Sequence, residues 1–438
     1  MINHRKLGTV ILILAILAGI SGGIAAIFSQ LSDIIPSLKR IISPDMFANL
    51  PVTHSRMMVF FSLQPALTMG LGAWFLPILV DAKDMAIPRL NSFALIFLIV
   101  GFCFNFATFF QPDAANLIWM SLTCWGISAL CYSINVIITL LNERSKSVRF
   151  VDWPVFVWAQ GLCAVLMLPI ASILLAMLTK AQWGKTESLA LAIQHTTQIL
   201  SYPMVLLLLI PAFGIIFHII GTLTNTSIHL SRNISAVMVL ASAVVFLMWD
   251  HTLFNNHLLN YFQSDLTNPF IPVGLFSLVA GLLIMCLRYL FQEKRVYYLP
   301  LWWVMGFIAL LGIGWPVEGI VKGLNHIHSC VAYAALYAAF AGFYFWMGKI
   351  SGCFYSEILG KLHFLVTCIG VLFFLNLLSI GIASSAIGSA FFGISIFIFV
   401  IILFQAWKSR SILPDNYWGE GAVTREWRLS SPISVRSL

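Results

Sequence analysis

From residue 7 to residue 407 the chain alternates long apolar runs with short polar joins, and the runs have the length of membrane crossings. Stretches of roughly 18 to 28 apolar residues reach across a hydrocarbon core as helices, the one open form that pairs every backbone N–H and C=O within a single segment. Twelve such helices are expected, at 7–29, 55–80, 92–110, 115–141, 153–178, 196–224, 234–252, 269–291, 299–321, 326–347, 361–383 and 385–407. Nothing in the pattern marks a soluble domain. The expectation is an all-α polytopic membrane protein, one membrane domain over 1–438 with helices to about 407 and a tail over 408–438. The first run ends without a small-residue cleavage site and is read as a retained helix.

Composition agrees: 60% of the 438 residues are hydrophobic, 9% are charged, and mean hydropathy is +0.94, which excludes a soluble multidomain protein. The net charge of +8 is not a nucleic-acid patch. It gathers at membrane edges, in HRK at 4–6, ERSKSVR at 143–149, EKR at 293–295 and the tail, which is a topology signal. Placing both termini on the inner side puts Lys83, Arg89, Arg144, Lys146, Arg149 and Lys361, among others, in inner loops. Lys39, Arg40, Arg56, Lys180, Lys185 and Lys322 then face outward. The eight cysteines stand singly, without Cys-x-x-Cys or Cys-x-x-Cys-His, so neither a disulfide framework nor covalently attached haem is expected.

The candidate chemistry lies in Asn325-His326-Ile327-His328-Ser329-Cys330, at the head of an apolar run. Helical positions two apart point to nearly opposite faces, so His326 and His328 cannot share one metal and suit two centres. Ligand-type side chains at membrane depth favour metal or haem binding, although the spacing alone equally fits two interfacial histidines.

The histidine pair and its continuation FAGFYFWMGKISGCFYSEILGKLHF resemble the tenth helix of subunit I of the haem-copper oxidases, the core of cytochrome c oxidase. The similarity extends through residues 51–91, 115–145 and 201–222 to NYWGEGAVTREWRLSSP at 416–432. The resemblance implies that His326 ligates a high-spin haem, and that His328 and His54 together ligate a low-spin haem.

Departures from that family cluster at its chemistry. His251 keeps one copper-ligand position, while Tyr202 and Thr252 stand at the other two. Met204 replaces a proton-shuttling glutamate, Leu206 a tyrosine, Asn116 a channel aspartate and Gln30 a haem-contacting arginine. The eighth helix, with IPVGLFSLVAGLL, lacks the lysine of a second channel. One imidazole with a phenol and a hydroxyl is a poor copper donor set, and His218, His229 and His257 are poorly spaced to compensate. An arginine pair for the haem propionates is missing, leaving Lys322, Arg56, Lys39 and Arg40 on the correct side.

The expected function is that of a haem-binding membrane subunit of a respiratory electron-transfer complex, in a bacterial cytoplasmic or mitochondrial inner membrane. Haem is expected at His54 and His328, with a second haem at His326, and copper and oxygen reduction are expected to be lost. Partners implied by the resemblance are the lipid bilayer, other respiratory-complex membrane subunits, and cytochrome c or a copper-bearing subunit as electron donor. Alternatives are an active terminal oxidase and a haem-free scaffold. A transporter ranks last, because no internal repeat is visible.

Overall fold

The computed structural model describes residues 2–32, 35–111, 114–184, 188–224, 227–254, 270–291, 298–316, 328–375, 384–408, 413–419 and 421–433. All regular structure among these residues is helical.

Among the described residues, nine helices are long and apolar enough to cross a membrane: α1 (His4–Leu31), α2 (Pro44–Leu79), α3 (Pro88–Ala107), α4 (Ala115–Glu143), α5 (Val155–Trp183), α7 (Ser201–Leu223), α11 (His328–Ser351), α12 (Glu357–Phe374) and α13 (Ser384–Lys408). Three further helices, α8 (Ser227–Phe254), α9 (Phe270–Leu290) and α10 (Leu299–Gly314), carry shorter apolar stretches at the remaining expected places. The protein is therefore a polytopic helical membrane protein, and this arrangement accords with twelve crossings.

Local chemistry sets the helix starts. The side chain of Asn3 caps α1 by accepting from Lys6 N at 2.9 Å, and Ser43 caps α2 by accepting from Met46 N at 3.3 Å, with Pro44 at the first helical position. That cap starts α2 eleven residues before its expected span. The expected helix over 196–224 is broken at Leu200, where a short helix α6 (Leu189–Ile199) meets α7.

Residues 203–222 of α7 are buried throughout, and α7 packs against α5, α8, α9 and α11. It is the central post of the bundle. Small residues permit the closest crossings elsewhere. A Cβ on Gly8 of α1 would come within 2.6 Å of Trp74 and 2.7 Å of the Gly70 carbonyl, so α1 and α2 touch backbone to backbone there.

The segment 413–433 folds back beneath the end of the bundle that holds the N-terminus. Lys349 Nζ donates to the carbonyls of Asp415 and Leu429, both at 2.5 Å, and Arg5 Nη1 donates to Ile433 O at 2.6 Å. Arg425 pairs with Asp81, and Trp427 is buried against Phe345. His54 and the start of α11 consequently lie toward the opposite end.

Candidate functional site

His54 sits on α2 one residue past buried Thr53, at the crossing with α1. Its Nδ1 lies 2.8 Å from Gly22 O. A carbonyl only accepts, so Nδ1 carries the hydrogen, and in the neutral ring Nε2 is left as a lone-pair donor. One nitrogen is thus oriented by a backbone carbonyl, and the other could act as a metal ligand. Gly22 allows the approach, because a Cβ there would meet Met57 Cβ at 3.3 Å.

His328 is the first residue of α11, which packs on the α2 segment just beyond His54. The fold therefore brings the backbones of His54 and His328 to the same end of neighbouring helices, although the side chain of His328 lies outside the described residues, as does the whole of His326. His251 is helical in α8, and its side chain, with those of Thr252 and Tyr202, also lies outside the described residues. On α7, Met204 and Leu206 are buried in apolar surroundings.

Arg56, expected on the propionate side, is engaged with α3 and with its own helix. Two residues along a helix turn the side chain by about 200°, so Arg56 faces away from the imidazole. It donates to Asn105 Oδ1 at 3.3 Å and to Thr53 Oγ1 at 3.0 Å, toward α3. Lys39 and Arg40 are exposed on a 3-10 turn at 36–40, with Lys39 Nζ 5.3 Å from the Phe47 ring centre. Lys322 lies outside the described residues.

His218 stands well apart from the Tyr202 position. It follows Tyr202 by sixteen residues, roughly 24 Å along α7. Its Nε2–H donates to Glu426 Oε1 at 2.7 Å, with both side chains buried. The side chain of His229 and all of His257 lie outside the described residues.

Asn116 is exposed in the first turn of α4, at the end of the bundle opposite the termini. The polar groups buried toward the terminal end are others. Asn135 Nδ2 donates to Asn91 Oδ1 at 2.6 Å, and buried His4 donates to the half-buried Asp84 at 3.0 Å. Burial raises the Asp84 pKa, but the hydrogen bonds from His4 and Met85 outweigh it and hold the carboxyl below its usual range. Sequence reasoning missed the His218–Glu426 pair. Its one signal was a glutamate between arginines beside a tryptophan, in REWR at 425–428.

Residues 6–409 match the family described as Cytochrome C and Quinol oxidase polypeptide I. Among curated relatives, cytochrome c oxidase subunit 1 of Cereibacter sphaeroides is 27% identical over 460 residues, covering 88% of this chain and 80% of that protein. Cytochrome c oxidase subunit 1 of Thermostichus vulcanus is 25% identical over 494 residues, covering 100% of this chain and 89% of that protein. With the family match running from α1 to the end of α13, the chain belongs to the Cytochrome C and Quinol oxidase polypeptide I family.

Proposed function

We propose that this chain is a haem-binding electron-transfer subunit of a respiratory membrane complex, built on the oxidase subunit I fold and without a copper centre. The observation that carries the haem assignment is the His54 Nδ1 to Gly22 O hydrogen bond, which presets the tautomer and leaves Nε2 to coordinate. His54 and His328 would hold a low-spin haem as a bis-imidazole pair, and His326 would hold a second haem.

Bound haem supplies one-electron redox chemistry whose potential is set by its axial ligands and surroundings. The protein's own share is orientation and exclusion of water. Gly22 fixes the His54 ring, and the buried rings of Phe60 and Phe61, about two turns further along α2, keep the interior dry.

Copper fits poorly on the chemistry of the donor set. His251 offers one imidazole, whereas Tyr202 and Thr252 offer a neutral phenol and a hydroxyl, which do not make a strong site for a metal that favours several nitrogen or sulfur donors. The buried Met204 and Leu206 cannot carry protons.

In this reading the other membrane subunits of the complex are the partners, with cytochrome c or a copper-bearing subunit as electron donor. Both termini face the cytoplasm or matrix, in keeping with the basic inner loops. A reduced-minus-oxidised optical spectrum of the purified protein, with pyridine haemochrome and elemental analysis, tests the assignment. Haem without stoichiometric copper is the expected result. Copper with cyanide-sensitive oxygen uptake would establish an active terminal oxidase, and absence of haem would leave a scaffold subunit.

A further inference from the structure

Midway along α2, polar side chains enter the packed core beside α4 and α5. Gln64, Thr68, Tyr132, Ser133, Gln160 and Cys163 are all at most 5% exposed. Much of this polarity serves the α2 backbone. The helix is wound in π-turns at 57–63 and 66–70, and Pro65 between them has no N–H, so carbonyls along this stretch need other donors. Thr68 Oγ1 donates to Gln64 O at 2.8 Å, Tyr132 OH to Thr68 O at 3.2 Å, and Gln160 Nε2 to Leu67 O at 2.8 Å. Gln64 Nε2 in turn donates to Thr68 Oγ1 at 2.9 Å.

Gln64 Oε1 takes part in none of these bonds. Gln64 Oε1 is buried without a hydrogen-bond partner. The six polar residues line an internal cavity of about 10 Å³, the room of one water molecule.

We propose that this cavity is a binding site for one water molecule, which donates a hydrogen bond to Gln64 Oε1. The ligand has to donate, because the unmatched group is an acceptor. It has to be neutral, because an ion at this depth carries a large desolvation cost. It can be no larger than the void, and an apolar gas would leave the amide oxygen as it is. Water meets all three conditions. The site lies ten residues past His54, roughly 15 Å along the helix, and is independent of haem ligation. It joins α2, α4 and α5 through an exchangeable hydrogen bond in the middle of the membrane.

The test is an electron cryomicroscopy map of the protein as purified, at a resolution that shows ordered water, for the wild type, Gln64→Glu and Gln64→Met. Density within hydrogen-bond distance of the residue 64 acceptor is expected in the wild type and in Gln64→Glu, which keeps an oxygen. Its loss is expected in Gln64→Met, which keeps the chain length but not the acceptor. An empty cavity in the wild-type map, or density that persists in Gln64→Met, overturns the proposal. If Gln64→Met does not fold, the wild-type map decides alone. Thermal unfolding adds an independent reading: a dry cavity would make Gln64→Met more stable than wild type, whereas a hydrated one makes it no more stable.

Discussion

The imidazole of His218 donates from Nε2 to Oε1 of Glu426 across 2.7 Å, between side chains 208 residues apart and both shut off from solvent. The pair pins the C-terminal segment to the central helix α7. Lys349, with its two carbonyl acceptors at Asp415 and Leu429, holds the same segment to α11. A tail that would read as a solvated appendage is thus part of the packed bundle, and its docking depends on a buried carboxylate.

That dependence predicts acid sensitivity of the tail. Burial pushes the Glu426 pKa up, but the charge and N–H of His218 outweigh burial and hold it below the ordinary 4.5. A carboxyl whose folded pKa lies below its unfolded value contributes stability that is complete above about 4.5 and is lost as the pH falls through the folded value. Protease cleavage within 413–433 should therefore accelerate below that pH before the helices unfold. Removing one member of a buried pair costs about 3–5 kcal/mol. Glu426→Ala should lower the unfolding midpoint accordingly, whereas Asp152→Ala, which removes an exposed partner of Arg149, should leave it unchanged. Equal effects of the two variants, read by thermal unfolding in detergent, would show that the pair is not holding the tail.

Haem ligation gives the second prediction. His54→Ala and His328→Ala should each abolish the six-coordinate low-spin spectrum. His363 is a fully buried histidine, but its Nδ1 is 2.8 Å from Tyr344 OH and it belongs to no expected ligand pair. His363→Ala should keep the spectrum even if the protein loses stability. A spectrum unchanged in both ligand variants, or lost in all three, would remove the assignment.

Helix crossings give the third. Gly8→Ala places a methyl against the Gly70 carbonyl, which cannot move aside, and overpacking of this kind costs about 1–3 kcal/mol. Gly281 on α9 has nothing within 4 Å of the same position. Gly281→Ala should therefore gain about 0.5–1 kcal/mol from helix propensity alone. Unfolding midpoints in one detergent should separate the two variants in opposite directions.

Much of the fold was legible in the sequence because a membrane crossing is specified by length and apolarity, which single residues declare additively. The break at Leu200 was missed, although Thr196, Thr197 and Gln198 interrupt the apolar run before it and Pro203 stands in the first turn of α7, where a missing N–H is tolerated. At the site, the helical period sets His326 and His328 on opposite faces, a placement that lies outside the described residues, and family similarity selected His54. The same period, applied to Arg56, would have shown that it turns away from His54 toward Asn105. The tail contacts and the Gln64 acceptor were hidden, because both depend on which groups already have partners, a property of the folded chain.

The last prediction concerns oxygen chemistry, and it follows from what the reaction needs against what this chain supplies. In the haem-copper oxidases, splitting the O–O bond calls on a haem iron, a nearby copper, a redox-active tyrosine and protons delivered by titratable side chains. Leu206 has no redox chemistry, Met204 has no proton to give, and Thr252 offers a hydroxyl where an imidazole is needed. A haem at His326 would then face a pocket without a second metal, and should take CO or NO when reduced. The purified complex is expected to show a CO difference spectrum, less than stoichiometric copper, and no cyanide-sensitive oxygen uptake with cytochrome c or quinol. Replacing Tyr202 and Thr252 together with histidine would restore three imidazoles with His251. If that double variant acquires copper while the wild type does not, the missing ligands account for the loss. Copper at one equivalent in the wild type would instead mean that other side chains complete the site, and the protein would be an ordinary terminal oxidase.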